Sequence, residues 1–339
     1  MTDTTELTAW RSVAELYRHF FAGLVLRTVA QRGAKDAAEL VFRTFRRQHH
    51  ARFLPGLRKL GLDTLPDAVA AASYHYLSNR IGGVSVEFMP DSDRKAWVRF
   101  PPPRWVWPTV TICAIPTEVS AAMLRGWQAH NGVSLGNPRL GFVCTGMTPD
   151  GQPGLEGYFL EHDRELAPEE RLRFARHESA PPFDPARAPK LDPVAWPAAR
   201  LAKAHRGYAM EYVRSALPEV LQAFGPEATR FLAGGAARLV GMQMYPDTAA
   251  GLGITSEPGA AGFARFMVRL AEAQGDRAAM ERNGAGFVVR QEGWALMRGV
   301  PEGGDVLLDC WAGLLEGAAM AHDRRMTVRR EGFTWSIGG

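Results

Sequence analysis

The sequence predicts an α+β protein of two tandem, similar modules, each a helical layer packed on a small antiparallel sheet. Three observations predict it. Landmarks recur 192 residues apart: Gly33 and Gly225, Leu60-Gly61-Leu62 and Leu252-Gly253-Ile254, Pro66 and Pro258, His130 and His322. Leu40 and Arg46 recur in the same register as Leu232 and Arg238. The order of patterns (helices, hairpin, helix, strand pair) is also read twice. Finally, prolines at 181, 182, 185, 189, 193 and 197 make a stiff, extended connection. The expected divisions are a module over 8–178, a proline-rich linker over 179–200 and a repeated module over 201–339. A length of 339 residues suits two domains of ordinary size.

The first helix is read over 8–31 from apolar residues at Trp10, Val13, Leu16, Phe20, Phe21 and Leu24. Gly33 interrupts it, and a second helix runs through Leu40, Val41, Phe45 and Phe53. Its other face is basic, with Arg43, Arg46, Arg47, Arg52 and Arg58 around His49-His50. That face reads either as a solvated surface or as an anion site. Leu60-Gly61-Leu62 is a helix stop with a left-handed glycine. A third helix, 68–79, carries His75 between Tyr74 and Tyr76 near its end. His75 could face a ligand or serve as a hydrogen-bonding group at a helix end.

Val84–Phe88 and Ala96–Phe100 alternate with period two and form a hairpin. The PPPRWVWP segment is extended and sets Trp105 and Trp107 on one side. A fourth helix, 119–130, is expected to end at Asn131-Gly132. Leu140–Cys144 and Gly157–Leu160 are strands, and 169–177 is a short charged helix. The second half repeats the plan: helices over 204–224, from Gly225 to Leu252 and from Pro258, a hairpin of Phe287–Arg290 with Trp294–Arg298, a helix over 306–322, and closing strands at 326–329 and 333–337.

Lys plus Arg number 40 against 36 for Asp plus Glu, so the net charge of +4 gives no footprint for nucleic acid. No apolar run reaches ~18 residues, so no membrane span is expected. The three cysteines form no C-x-x-C pair, which predicts neither a disulfide framework nor a zinc site. With no basic and apolar leader, the expected location is the cytoplasm. No phosphate loop, dinucleotide fingerprint, H-E-x-x-H or G-x-S-x-G motif occurs, so no cofactor and no metal are expected.

The stretch from Gly82-Gly83-Val84 to Arg99-Phe100, with the helix ending at His130, resembles the superfamily of 4-vinyl reductase domains and TRAPP-type trafficking subunits. It is similar, more loosely, to the L-2-amino-thiazoline-4-carboxylic acid hydrolase family. The resemblance implies helices packed on a sheet with a ligand pocket between them. Relatives of the 4-vinyl reductase type carry cysteines on their closing strands. Here Cys144 stands on one such strand, and the return strand over 157–160 has none.

Candidate site residues follow. His130-Asn131 and His322-Asp323 pair a histidine with an amide or a carboxylate, a setting for a base near neutral pH or for a satisfied helix end. Cys144 is the candidate nucleophile, against the reading of a small buried apolar residue. Trp97 with Arg99, and Trp294 with Arg298, are expected in matching hairpins, where an indole wall with a cationic tip suits a planar anion. His75 joins them as a ligand-facing group. The leading function is binding of a small planar or carboxylate-bearing molecule between helices and sheet. Two alternatives stay open: hydrolysis of a C–N bond in a small cyclic substrate by His130, Cys144 and His322, and a scaffold or interaction role. A homo-oligomer, in the simplest case a dimer, is an expected assembly.

Overall fold

A computed structural model describes residues 4–103, 106–254 and 257–338. The fold is α+β with two sheets in two modules. The chain divides into two compact units, Thr28–Pro197 and a second formed by Met1–Arg27 with Ala198–Gly339. This differs from the expected division at both ends of the first module. Helix α1, Thr4–Arg32, gives most of its length to the second unit. Its apolar stripe packs there, with Phe20 5.8 Å from Trp311 and Phe21 5.2 Å from Tyr212.

In the Thr28–Pro197 unit, helices α2 (Ala34–Lys59), α3 (Asp67–Ile81) and α4 (Thr117–Gly126) precede or interrupt a five-stranded sheet. Its strands are β1 (Glu87–Ser92), β2 (Lys95–Phe100), β3 (Leu140–Gly146), β4 (Leu155–Glu161) and β5 (Leu172–Phe174), in the order β1-β2-β4-β3-β5. All neighbours are antiparallel except β5, which runs parallel to β3. The residues expected as a charged helix over 169–177 form a single 3-10 turn and then this edge strand. The pleat sorts side chains by face. Phe88 and Phe159 meet Tyr76 and His75 of α3. Met89, Trp97, Val143 and Tyr158 cluster on the other face, where Leu160, Ala175, Ala180 and Phe183 pack against them.

The start of the proline-rich segment is therefore a cover for the sheet, not a free linker. Further along, Lys59 lies over the Trp196 ring at 5.1 Å, and Ala188 is buried. With both faces covered, β3 is buried along its whole length. Trp107 is buried and donates to Ser120 Oγ at 3.2 Å, while Trp105 lies outside the described residues.

The second unit adds helices α6 (Ala198–Thr229, broken at Gly225), α7 (Gly235–Gly251), α8 (Gly259–Gln274) and α9 (Gly304–His322) to the start of α1. Its sheet has β6 (Ala278–Asn283), β7 (Gly286–Gln291), β8 (Thr327–Glu331) and β9 (Thr334–Gly338) in the order β6-β7-β9-β8. The expected hairpin of 287–290 with 294–298 is corrected. Met280 pairs with Val289, and Trp294 stands in a loop before a 3-10 turn over Ala295–Met297. Trp97 and Trp294 do not occupy matching strands. The polar edge strand β6 hid itself, because its pairing is made by backbone groups and five of its six side chains are charged, polar or alanine.

The two units repeat each other in detail. The strand order β1-β2-β4-β3 recurs as β6-β7-β9-β8. Gly33 and Gly225 both break helices at nearly the same backbone angles, φ 88 and ψ 171 against φ 80 and ψ 172. Leu62 N–H donates to Leu57 O at 3.0 Å, and Ile254 N–H to Ala249 O at 2.9 Å. Phe53 meets Tyr74 edge-on at 5.1 Å, and Tyr245 meets Phe266 at 5.0 Å. Among the described residues no helix is long and apolar enough to cross a membrane.

Candidate functional site

Helix α2 presents Arg46, His49 and His50 on one side, since residues three and four apart share a helix face. Helix α4 packs close against it. A Cβ added to Gly126 would lie 2.7 Å from Phe42 O, so only glycine admits this approach. Arg46 locks the crossing by donating Nε to Gly126 O and Nη2 to Arg125 O, both at 2.9 Å. These are terminal carbonyls of α4, which lack partners inside the helix.

The helix does not run on to His130 as expected. It breaks at Trp127 (φ −109, ψ −73), makes a 3-10 turn over Gln128–His130 and restarts as α5, Asn131–Leu135. The break turns the His130 ring toward α2. Its centroid is 5.1 Å from that of His49 and 5.1 Å from that of His50, which are themselves 6.0 Å apart. Adjacent histidines on one helix thus reach a single third ring. His49 stacks on Phe53 at 4.8 Å, and its Nε2 lies 2.8 Å from Ser134 Oγ.

Burial, then the charges of Arg46, His50 and Arg171, lowers the pKa of His130 to about 4. Burial, then His130, His75, Arg46 and His50, lowers that of His49 to about 2. Burial, then Arg171, also lowers that of Arg46. Every charge acting on these three groups is positive. Arg171 ends the 3-10 turn before β5, and its Nε is buried without a partner. Among the described residues, no carboxylate acts on Arg46 or His130. Three imidazoles close together invite a metal reading. Two guanidinium groups oppose a cation there, and among the described residues no set of His, Cys, Asp and Glu is placed to hold one.

Behind this cluster lies a second polar layer. Asn131 is fully buried, and its Nδ2 donates to His75 Nε2 at 3.1 Å. His75 stacks on Phe159 at 5.3 Å, and burial lowers its pKa to about 3. His49 Nδ1, Trp127 Nε1, Gln128 Oε1 and Asn131 Oδ1 are all buried without a hydrogen-bond partner. Buried polar atoms normally find one, so the concentration of four around this helix break marks the region.

The other expected site residues fall elsewhere. Trp97 belongs to the covered sheet face, 4.4 Å from Tyr158. Arg99 is neutralised by Glu87 at 2.5 Å and Glu156 at 3.6 Å. Cys144 is wholly buried on β3, its Sγ donating to Gly146 O at 3.4 Å. Arg176 approaches that sulfur to 3.6 Å, yet burial outweighs it and lifts the thiol to about 11. A nucleophilic cysteine needs the opposite shift.

His322 lies in the other unit. Its Nε2 donates to Gly259 O at 3.0 Å and its Nδ1 accepts from Tyr245 Oη at 2.5 Å, so both ring nitrogens are engaged. Asp323 ends α9 and accepts from Arg325 N–H at 3.0 Å. Trp294 packs 6.1 Å from Trp311, and Arg298 is largely exposed, 4.0 Å from Asp276.

The repeat sharpens the contrast. At the positions of Arg46, His49 and His50 the second unit has Arg238, Gly241 and Met242, and Arg238 is paired with Glu316. Among the described residues, the Arg46, His49 and His50 group has no counterpart at the equivalent positions of the second unit. The basic face of α2 was visible in the sequence, whereas Arg171 carried no signal, because its 3-10 turn is far away along the chain. No protein-family model, curated protein or solved structure gives a significant match to the chain.

Proposed function

We propose that the protein binds a small carboxylate-bearing molecule, with the anion seated on Arg46, His50, His130 and Arg171 of the Thr28–Pro197 unit. One observation carries this reading: among the described residues, the charges that act on Arg46 and His130 are all positive, whereas the equivalent arginine of the repeat has its own glutamate. Assembling like charges costs free energy that a bound anion recovers. The polar layer of Asn131, Gln128 and His75 and the rings of Trp127 and Tyr74 suit a planar body behind the carboxylate.

The geometry favours binding over C–N bond hydrolysis. Cys144 is a buried, protonated thiol, and the His322 nitrogens are committed to Tyr245 and Gly259. Calorimetric titration with aromatic and aliphatic carboxylates tests the proposal. A tight member of the panel should lose about ten-fold or more in affinity in Arg171→Met, since a charge-assisted hydrogen bond is worth about 1.5–3 kcal/mol. Absence of binding across the panel, or equal affinity in the variant, overturns it.

A further inference from the structure

The unit formed by Met1–Arg27 and Ala198–Gly339 contains a different concentration of unsatisfied groups. Tyr17 Oη, Arg206 Nε, Gln274 Nε2 and Trp294 Nε1 are buried and have no hydrogen-bond partner. Tyr17 and Gln274 are 0% and 3% exposed, and Arg206 and Trp294 are half-buried. They come from four places in the sequence, namely α1, α6, the end of α8 and the loop after β7.

Several contacts put them in one neighbourhood. Arg206 Nη1 donates to Ala273 O at 2.6 Å, beside Gln274. A Cβ added to Gly275 would lie 3.8 Å from Arg206 Nη2 and 3.9 Å from Ala295 Cβ. Asp276 accepts from Ala295 N–H at 2.7 Å, next to Trp294. The rings of Tyr17 and Trp294 both meet Trp311, at 6.0 and 6.1 Å. Arg206 lies over Trp10 at 5.0 Å.

All four atoms carry hydrogen, and an indole or guanidinium nitrogen can only donate. The occupant that suits them is rich in acceptors. The walls are aromatic, from Trp10, Trp294 and Trp311, so it is flat. Charge decides between an anion and a neutral molecule. Asp276 stands against Arg298 at 4.0 Å and the Glu6 carboxylate acts on Arg206, so each of these two guanidinium groups has an acidic counterpart, unlike the group of the other unit. We propose that this unit holds a second ligand site, for an uncharged planar ring compound bearing several carbonyl acceptors, such as a ring imide or dione, hydrogen-bonded by Tyr17, Arg206, Gln274 and Trp294.

The test uses the full chain with lumazine, alloxazine and 1-methyluracil as probes, read by calorimetry and tryptophan quenching. At least one should bind saturably. Tyr17→Phe and Trp294→Phe should each weaken it about ten-fold, the scale of one lost hydrogen bond, with Arg171→Met without effect. Circular dichroism and melting temperature show whether the variants fold, and Gln274→Met, which removes a different donor, replaces either one that does not. The proposal fails if none of the three probes binds saturably, if the folded variants bind as the parent does, or if benzoate displaces the bound probe from this site.

Discussion

Acidification from pH 7 to pH 5 should destabilise the protein, and His75 should account for a definable part of the loss. His75 is 3% exposed, and burial lowers its pKa from 6.5 to about 3. The folded state therefore resists protonation. Between pH 6.5 and about 3 the unfolded chain binds more protons, so stability falls as pH falls through that window. At about 1.4 kcal/mol per pH unit below 6.5, the contribution at pH 5 is about 2 kcal/mol, against a few tenths at pH 7.

The assay is urea unfolding at both pH values for the parent and for His75→Phe. The substitution keeps the ring stacked on Phe159 but leaves the Asn131 amide without its acceptor, so the variant should be weaker by about 1–3 kcal/mol at pH 7. Between pH 7 and 5 it should lose about 2 kcal/mol less than the parent, the rest of the slope coming from His49 and His130. Equal slopes in the two proteins would refute the argument, because they would place His75 outside the set of buried neutral imidazoles.

Gly33→Ala and Gly225→Ala should each cost about 1–3 kcal/mol, and by similar amounts, because both glycines hold backbone angles that side chains rarely adopt; urea unfolding of the two variants measures it, and a cost at one position alone would break the equivalence of the repeats there. Brief treatment of the native protein with iodoacetamide should label Cys113, which is exposed, and spare Cys144 and Cys310, whose burial raises them to about 11 and about 12; peptide mapping of the alkylated sites checks this.

Much of the architecture could be read from residues. Helix stops were legible because Leu-Gly-x followed by proline fixes a left-handed turn and a new start within a few residues. Strands β3 and β4 were legible because both carry apolar side chains to two covered faces. The failures share one cause, which is that the deciding contact is remote in sequence. Nothing within residues 8–27 shows that their apolar stripe meets Trp311 and Tyr212. The periodicity of α4 runs smoothly into Gln128, whereas the helix breaks at Trp127, where Arg46 from α2 takes the carbonyls of Arg125 and Gly126. That same break made the candidate site hard to foresee. The rings of His49 and His50 lie 6.0 Å apart, and they become a three-ring cluster only because a turn far along the chain brings His130 within 5.1 Å of both.

The partition of α1 bears on the order in which the molecule can be completed. During synthesis, residues 28–197 leave the ribosome as a finished set and can fold at once. The α1 segment made before it must wait, its row of Val13, Leu16, Tyr17, Phe20 and Phe21 unsheltered, until α9 supplies Trp311. The interval between those two events is when the nascent polypeptide is most exposed to aggregation, and when a chaperone has the most to protect.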